Sequence, residues 1–122
     1  MRLHLAVLLL AVAQSALASC PDKAVHLSEL ESKGIVYSSR LRIQDVERRE
    51  AVTIPTANGT TRTLPFGYSN KGWKALRSRM KSGDYVASFF ANPTPQNPLS
   101  GATGYMLVRG SCVIESLLTS IS

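Results

Sequence analysis

The sequence predicts an α+β fold: a small antiparallel sheet of about five strands packed against one main helix, with a short N-terminal helix beside it. Apolar residues recur at helical spacing in two segments, residues 24–33 and 68–84, and β-prone segments follow each of them. The strands are thus grouped apart from the helices instead of alternating with them. That grouping is typical of α+β domains with antiparallel sheets.

The short helix is predicted over the run AVHLSELESK, residues 24–33. Val25, Leu27 and Leu30 fall near one face of this run. Gly34 follows it and is the usual type of residue just beyond a helix end.

Residues 35–56 are predicted to form strand, because Leu41 and Ile43 alternate with polar neighbours. The charged block DVERRE, residues 45–50, interrupts this strand. The block fits either a wide turn or the outer part of a long hairpin.

The stretch AVTIPTANGTTRTLPF, residues 51–66, predicts a β-hairpin. Asn58 and Gly59 lie between two β-prone arms, and this pair tolerates the positive φ angles of a tight turn. Pro55 and Pro65 each lack a backbone donor, so we expect the hairpin at a sheet edge.

The main helix is predicted within YSNKGWKALRSRMKSGD, with Ser69 or Asn70 as its cap and Gly83 as its end. Its apolar positions are Trp73, Leu76 and Met80. This spacing places Trp73 in the core and does not favour a role as an exposed stacking platform. Three further strands follow: DYVASFFA, then two arms around a turn at residues 109–111, with a proline-rich loop at residues 91–103 between the first strand and the arms.

Residues 1–18 have the three parts of a secretory signal peptide, with a basic start at Arg2, a short apolar core and a small-residue exit. The core is too short to span a bilayer permanently. We therefore expect a leader over residues 1–18 and a single exported domain over residues 19–122, either periplasmic or secreted.

Two fates are open to Cys20. A cut after Ala18 leaves Cys20 free to form a disulfide with Cys112, whereas residues 17–20 also match a bacterial lipobox, which would make Cys20 a lipid anchor. Polar residues before the cut, Pro21 after Cys20 and the even number of cysteines favour the disulfide. The membrane-anchored lipoprotein stays as the alternative.

Charge and motifs narrow the classes of function. One of the 14 Lys and Arg residues lies in the leader, so the exported chain has a formal charge of +5 with its 8 acidic residues. This favours an anionic partner, either a protein or an anionic component of the cell envelope. Nucleic acid is not the expected partner, because an exported chain leaves the compartment that holds nucleic acid.

The sequence points to no catalytic, metal or cofactor site. His26 is the one histidine outside the leader, serines lack a GxSxG frame, and no cysteine pair has metal-ligand spacing. The carboxylates that could serve in acid–base chemistry are Asp45, Glu47, Glu50, Asp84 and Glu115, and the sequence places no two of them across a cleft. His26 is predicted to be a surface residue near Glu29.

Two features are candidates for binding. The first is a basic helix face, formed by Lys71, Lys74, Arg77, Arg79 and Lys81. The second is the proline-rich loop, with Asn92, Pro93, Pro95, Gln96, Asn97 and Pro98. The plainer alternatives are a solvated face and an irregular crossover between strands.

The segments GWKALRSRMKSGDYVASFF and GYMLVRGSCVIESLLTSIS, within residues 68–122, resemble a loosely defined set of short exported bacterial proteins of unknown function. These proteins have a Trp-bearing helix and a closing GYxLVR hairpin, and the resemblance implies fold but no activity. The function we expect is that of a small exported non-enzymatic domain that binds a protein or anionic envelope partner. A small cell-envelope hydrolase and a lipid-anchored structural lipoprotein are the alternatives.

Overall fold

The structure is a computed structural model that describes residues 20–21, 24–92 and 101–120. The strands in these residues are β1 Val25–His26, β2 Ile35–Tyr37, β3 Ala51–Pro55, β4 Thr61–Pro65, β5 Tyr85–Ala91, β6 Thr103–Arg109 and β7 Cys112–Ser120. The helices are α1 Leu27–Ser32, α2 Ile43–Arg49 and α3 Asn70–Ser78, and a 3-10 turn over Gly67–Ser69 precedes α3.

Five strands form one antiparallel sheet in the order β1-β7-β6-β5-β2. β3 and β4 form a second, two-stranded sheet. With the three helices this is an α+β fold, which confirms the predicted class. The strand predicted before the proline-rich loop is β5, and the two predicted C-terminal arms are β6 and β7.

The five-stranded sheet has an apolar core on each face. On one face α2 and α3 pack against the sheet through Val46, Trp73 and Leu76, which meet strand residues such as Val86 and Leu107. On the other face the core is smaller: Ala87, Met106 and Val108, with Leu27 and Leu30 of α1 packed against them. Adjacent residues of one strand thus serve opposite cores, because side chains alternate along a strand.

The strand prediction for residues 35–56 is wrong over its central part. Residues 43–49 form α2, and Leu41 makes only an isolated bridge with Val86 before the helix begins. Ile43 and Val46 are three residues apart and pack together in the core on one helix face. The charged block, predicted to be a wide turn or the outer part of a long hairpin, therefore belongs to a helix, and its Glu and Arg residues have high helix propensity.

The hairpin at Asn58 and Gly59 is confirmed, with Gly59 at a φ of +76°. Both arms are edge strands, as predicted, but they belong to a separate two-stranded sheet. The two prolines lie in the terminal pairs of the ladder, Ala51 with Pro65 and Pro55 with Thr61. At these positions they interrupt the hairpin least.

α3 is shorter than the sequence predicted. Ser69 is the N-cap residue but makes no side-chain cap bond, and the Asn70 side chain instead donates to the Pro65 carbonyl at 2.9 Å. The helix ends at Arg79, and Gly83 lies in the turn before β5. Trp73 is 1% exposed, which confirms its predicted place in the core.

A disulfide joins Cys20 to Cys112 across a sequence separation of 92 residues, with the two Cα atoms 5.5 Å apart. This pairing is the one predicted. Beside it β1 pairs with only two residues of β7, so the disulfide fixes a short edge strand to the sheet. Among the described residues no helix is long and apolar enough to span a membrane. The predicted leader, residues 1–18, lies outside the described residues.

Candidate functional site

The five cations of the predicted basic face do not share one helix face. Lys71, Lys74 and Arg77 lie on α3, whereas Arg79 is its C-cap and Lys81 lies in the following turn. All five residues are exposed. The chain direction changes after Ser78, so a helical projection of the sequence overestimates how far the face extends.

Two of these five cations already have carboxylate partners. Arg77 reaches Glu47 Oε2 on α2 at 3.4 Å, and Arg79 reaches Glu115 Oε2 on β7 at 2.6 Å. The side chains of both arginines stay about half exposed, at 47% and 52%. The side chains of Lys71, Lys74 and Lys81 form no ion pair among the described residues. Because Lys81 lies next to Asp84, to which its backbone N–H donates, Lys71 and Lys74 are the cations most free to meet another molecule.

Positive charge is concentrated in one segment of the chain. Residues 40–81, which include α2, the β3–β4 hairpin and α3, carry ten Lys and Arg against three Asp and Glu, a formal charge of +7. We call this segment the basic layer, because α2 and α3 pack on one face of the sheet. The rest of the chain after residue 18 has three basic and five acidic residues, a formal charge of −2. Two of those acids lie beside the basic layer, where Asp84 accepts from the backbone of Lys81 and Glu115 pairs with Arg79. A local excess of positive charge attracts anions.

Each carboxylate singled out from the sequence has a structural partner. Asp45 faces Arg48 at 3.8 Å within α2, and Asp84 pairs with Arg109 at 2.8 Å. Glu47 accepts from Trp73 Nε1 at 2.9 Å, Glu50 accepts from the Tyr105 hydroxyl at 2.7 Å, and Glu115 pairs with Arg79. All of these contacts except the one within α2 connect different elements of the fold.

An aromatic cluster lies between the basic layer and the sheet. The Phe66 ring is 5.0 Å from the Trp73 ring and 5.4 Å from the Tyr105 ring, with an edge-on geometry to Tyr105. Burial, followed by the bond to Glu50, raises the pKa of Tyr105 to about 12. The Tyr105 hydroxyl is thus a donor held neutral at physiological pH.

Phe66 has a backbone conformation that the sequence did not predict. Its φ is +65°, in the left-handed region that bulky residues seldom occupy. Its backbone N–H donates to the Glu50 carbonyl at 2.7 Å, and its ring is 8% exposed. Phe66 therefore connects the end of the hairpin to α2 and the 3-10 turn, and packing of its ring offsets the backbone strain.

His26 caps α1 and does not lie within it. His26 is the N-cap residue, and its Nδ1 accepts from the backbone N–H of Ser28 at 3.2 Å. The prediction of a helical surface histidine is corrected in this respect, because His26 ends β1. The described residues hold no group of three or more His, Cys, Asp or Glu side chains suited to a metal ion.

Of the loop residues predicted to bind a partner, only Asn92 lies within the described residues. Its backbone N–H donates to the Gly34 carbonyl at 3.3 Å, which extends the pairing of β5 with β2. Pro93, Pro95, Gln96, Asn97 and Pro98 lie outside the described residues. The loop therefore stays a prediction.

On the α1 face of the sheet there is an apolar pocket of 220 Å³. Its lining includes Leu30, Ile35, Phe89 and Met106, with Ser116 as a polar member. The pocket exists because α1 has only six residues and leaves part of this face uncovered.

Comparison of the chain with protein-family models, with curated proteins and with solved structures gives no match in any of the three. The fold and its surface therefore carry the functional argument.

Proposed function

We propose that this protein is an exported, non-enzymatic binding domain that uses its basic layer to dock an acidic protein. The observation that carries the proposal is the concentration of positive charge in the basic layer, a formal +7 for residues 40–81 against −2 for the remainder of the exported chain. An anionic partner would be attracted to the basic layer and its exposed lysines.

The state of the carboxylates supports a binding role over hydrolysis. Most glycoside hydrolases use a pair of carboxyl groups that flank the substrate. Glu47 on α2 and Glu50, its C-cap residue, are three residues apart, and they are bonded to Trp73 and Tyr105. Because both carboxylates serve as structural acceptors, we assign the surface a role in binding a partner and not in catalysis.

Export is supported by two independent features of the chain. The N-terminal residues have the pattern of a removable leader, and the chain forms a disulfide between Cys20 and Cys112. Disulfides are rare in the reducing cytosol and frequent in small exported domains. A Cys20 that is bonded to Cys112 has no thiol left for a lipid anchor.

The test uses the purified, disulfide-bonded protein and poly-L-glutamate as a model acidic partner. We expect binding that weakens as salt is added, because exposed charges are screened. Lys74→Glu should weaken binding severalfold. Lys33→Glu is the matched control, because it makes the same change of charge at the exposed end of α1, on the other face.

Equal losses from Lys74→Glu and Lys33→Glu would contradict the proposal, since net charge and not the basic layer would then govern binding. Vesicles of anionic lipid provide the second probe. If they bind with the same dependence on Lys74 while poly-L-glutamate does not, the partner is an envelope surface and the proposed acidic protein is wrong.

A further inference from the structure

The outer edge of β7 is open over most of its length. β7 runs over Cys112–Ser120, but β1 pairs with it only at Cys112 and Val113. Within the described ranges, no other strand joins β7 on the side away from β6. Residues 116–120 therefore offer backbone donors and acceptors along a free edge, the arrangement to which another strand can add.

The residues at this edge do not oppose an added strand. Edges that avoid pairing usually carry charges or proline, and residues 116–120, SLLTS, have neither. Leu118 is 48% exposed, and Glu115 is paired with Arg79. The edge thus combines β-prone sequence with an apolar side chain in solvent.

α3 lies alongside this edge. At Gly72, near its start, an added Cβ would lie 2.9 Å from Leu117 Cδ1. At its C-cap, Arg79 Nη1 donates to the Ile114 backbone carbonyl at 3.3 Å. Gly72 lies in the first turn of α3 and Arg79 is its C-cap residue, so these two contacts with β7 lie at opposite ends of the helix. Arg79 already acts as a donor to the β7 backbone from outside the sheet.

The start of the helix also carries an exposed cation. Lys71 neighbours Gly72 in sequence, is exposed and has no partner among the described residues. Arg79, at the other end of the helix, is paired with Glu115, but its side chain stays 52% exposed. Carboxylates are the side chains that complement both cations.

We infer that the free edge of β7 binds an extended acidic segment of the partner as an additional antiparallel or parallel strand. The backbone of that segment bonds to residues 116–120, and its carboxylates lie beside Lys71 and Arg79. Strand addition of this kind takes affinity from main-chain bonds and specificity from the neighbouring side chains. The inference rests on the proposed function and narrows the partner to an extended acidic peptide.

The experiment compares two labelled peptides of alternating Thr and Glu, one unmodified and one N-methylated at every backbone amide. Both carry the same charge, but only the unmodified peptide can donate main-chain bonds. We expect the unmodified peptide to bind at least roughly tenfold more tightly, because several hydrogen bonds are lost on methylation. Lys71→Glu should weaken its binding, and Lys33→Glu should not.

Each result has a distinct consequence. Equal binding of the two peptides would overturn strand addition and leave the proposed function intact. Binding of poly-L-glutamate without binding of the unmodified peptide would do the same. If neither the peptides nor poly-L-glutamate bind, the proposed function fails as well. Tighter binding of the unmodified peptide than of the N-methylated peptide, weakened by Lys71→Glu, supports the inference.

Discussion

Arg109 forms a bidentate pair with the carboxylate of Asp84. Nε donates to Oδ1 at 3.0 Å and Nη2 donates to Oδ2 at 2.8 Å, and the Asp84 side chain is 1% exposed. Asp84 also accepts from the backbone N–H of Lys81 at 2.8 Å, and Arg109 donates to the Arg79 carbonyl. This pair joins the turn after α3 to the end of β6.

Replacing Arg109 by Gln should lower the free energy of unfolding by roughly 2 to 4 kcal/mol at neutral pH, because a buried carboxylate loses its counter-charge. The arginine side chain is 35% exposed, so the loss is smaller than for a fully buried pair. Denaturant unfolding followed by the fluorescence of the single tryptophan measures it. Arg109→Lys keeps the charge but loses the forked geometry. Its free energy of unfolding should therefore lie between those of the wild type and Arg109→Gln.

The same pair predicts a pH dependence. The hydrogen bond from Arg109 holds the pKa of Asp84 below its usual range, against the opposing effect of burial. The stabilisation is therefore complete above the unfolded pKa of about 3.9 and is lost as pH falls through the folded value. The stability difference between wild type and Arg109→Gln should shrink below about pH 4. A difference that stays constant into acid would contradict this account of the pair.

Phe66 permits a test that separates backbone strain from side-chain packing. Phe66→Ala loses the ring but keeps the left-handed backbone, and should destabilise the fold by about 3 to 5 kcal/mol. Phe66→Gly loses the same ring and relieves the strain, so it should be about 1 kcal/mol more stable than the Ala variant. Denaturant unfolding of the two variants decides this. An Ala variant more stable than the Gly variant would mean that Phe66 is not strained.

The disulfide should contribute strongly to stability, because it closes a loop of 92 residues. The chain-entropy model gives roughly 4 to 5 kcal/mol for a loop of this length, as an upper value. The double variant Cys20→Ser, Cys112→Ser should lose a matching free energy of unfolding, which denaturant unfolding shows as a lower midpoint. Reduction of the wild type should lower the midpoint to the same extent. An unfolding midpoint that is indifferent to reduction would show that the bridge adds nothing.

Tyr105 should titrate apart from the usual range of tyrosine. Its pKa is raised to about 12 by burial and by its bond to Glu50, so ultraviolet titration should show one of the four tyrosines ionising near that pH. Tyr105→Phe should remove this step. Because the folded pKa lies above the unfolded value of about 10, the associated stability is present below pH 10 and is lost towards pH 12. Titration of all tyrosines below about pH 11 would contradict the buried hydroxyl.

Sequence patterns predicted the elements that local chemistry determines. The Asn58 and Gly59 turn, β5 and the β6–β7 hairpin have strong β propensity or turn residues, and all are present. α2 escaped prediction because it has seven residues, and the apolar alternation of Leu41 and Ile43 continues into its first turn. A short charged helix is stabilised by tertiary packing, here through Val46, which a sequence pattern does not reveal.

The same distinction applies to the candidate site. The cations of α3 could be recognised from the sequence, but the pairing of Arg77 with Glu47 and of Arg79 with Glu115 could not. These pairs span 30 and 36 residues and depend on how α2, α3 and β7 come together. Likewise, the free edge of β7 depends on how short β1 is, a property of the sheet and not of the β7 sequence.

The most direct test of the basic layer is a map of its backbone amides by NMR during titration with poly-L-glutamate. The proposed function predicts that the largest shifts fall within residues 40–81, above all around Lys71 and Lys74 on the exposed side of α3. Shifts concentrated on α1 and β2, or spread evenly over both faces of the sheet, would contradict it.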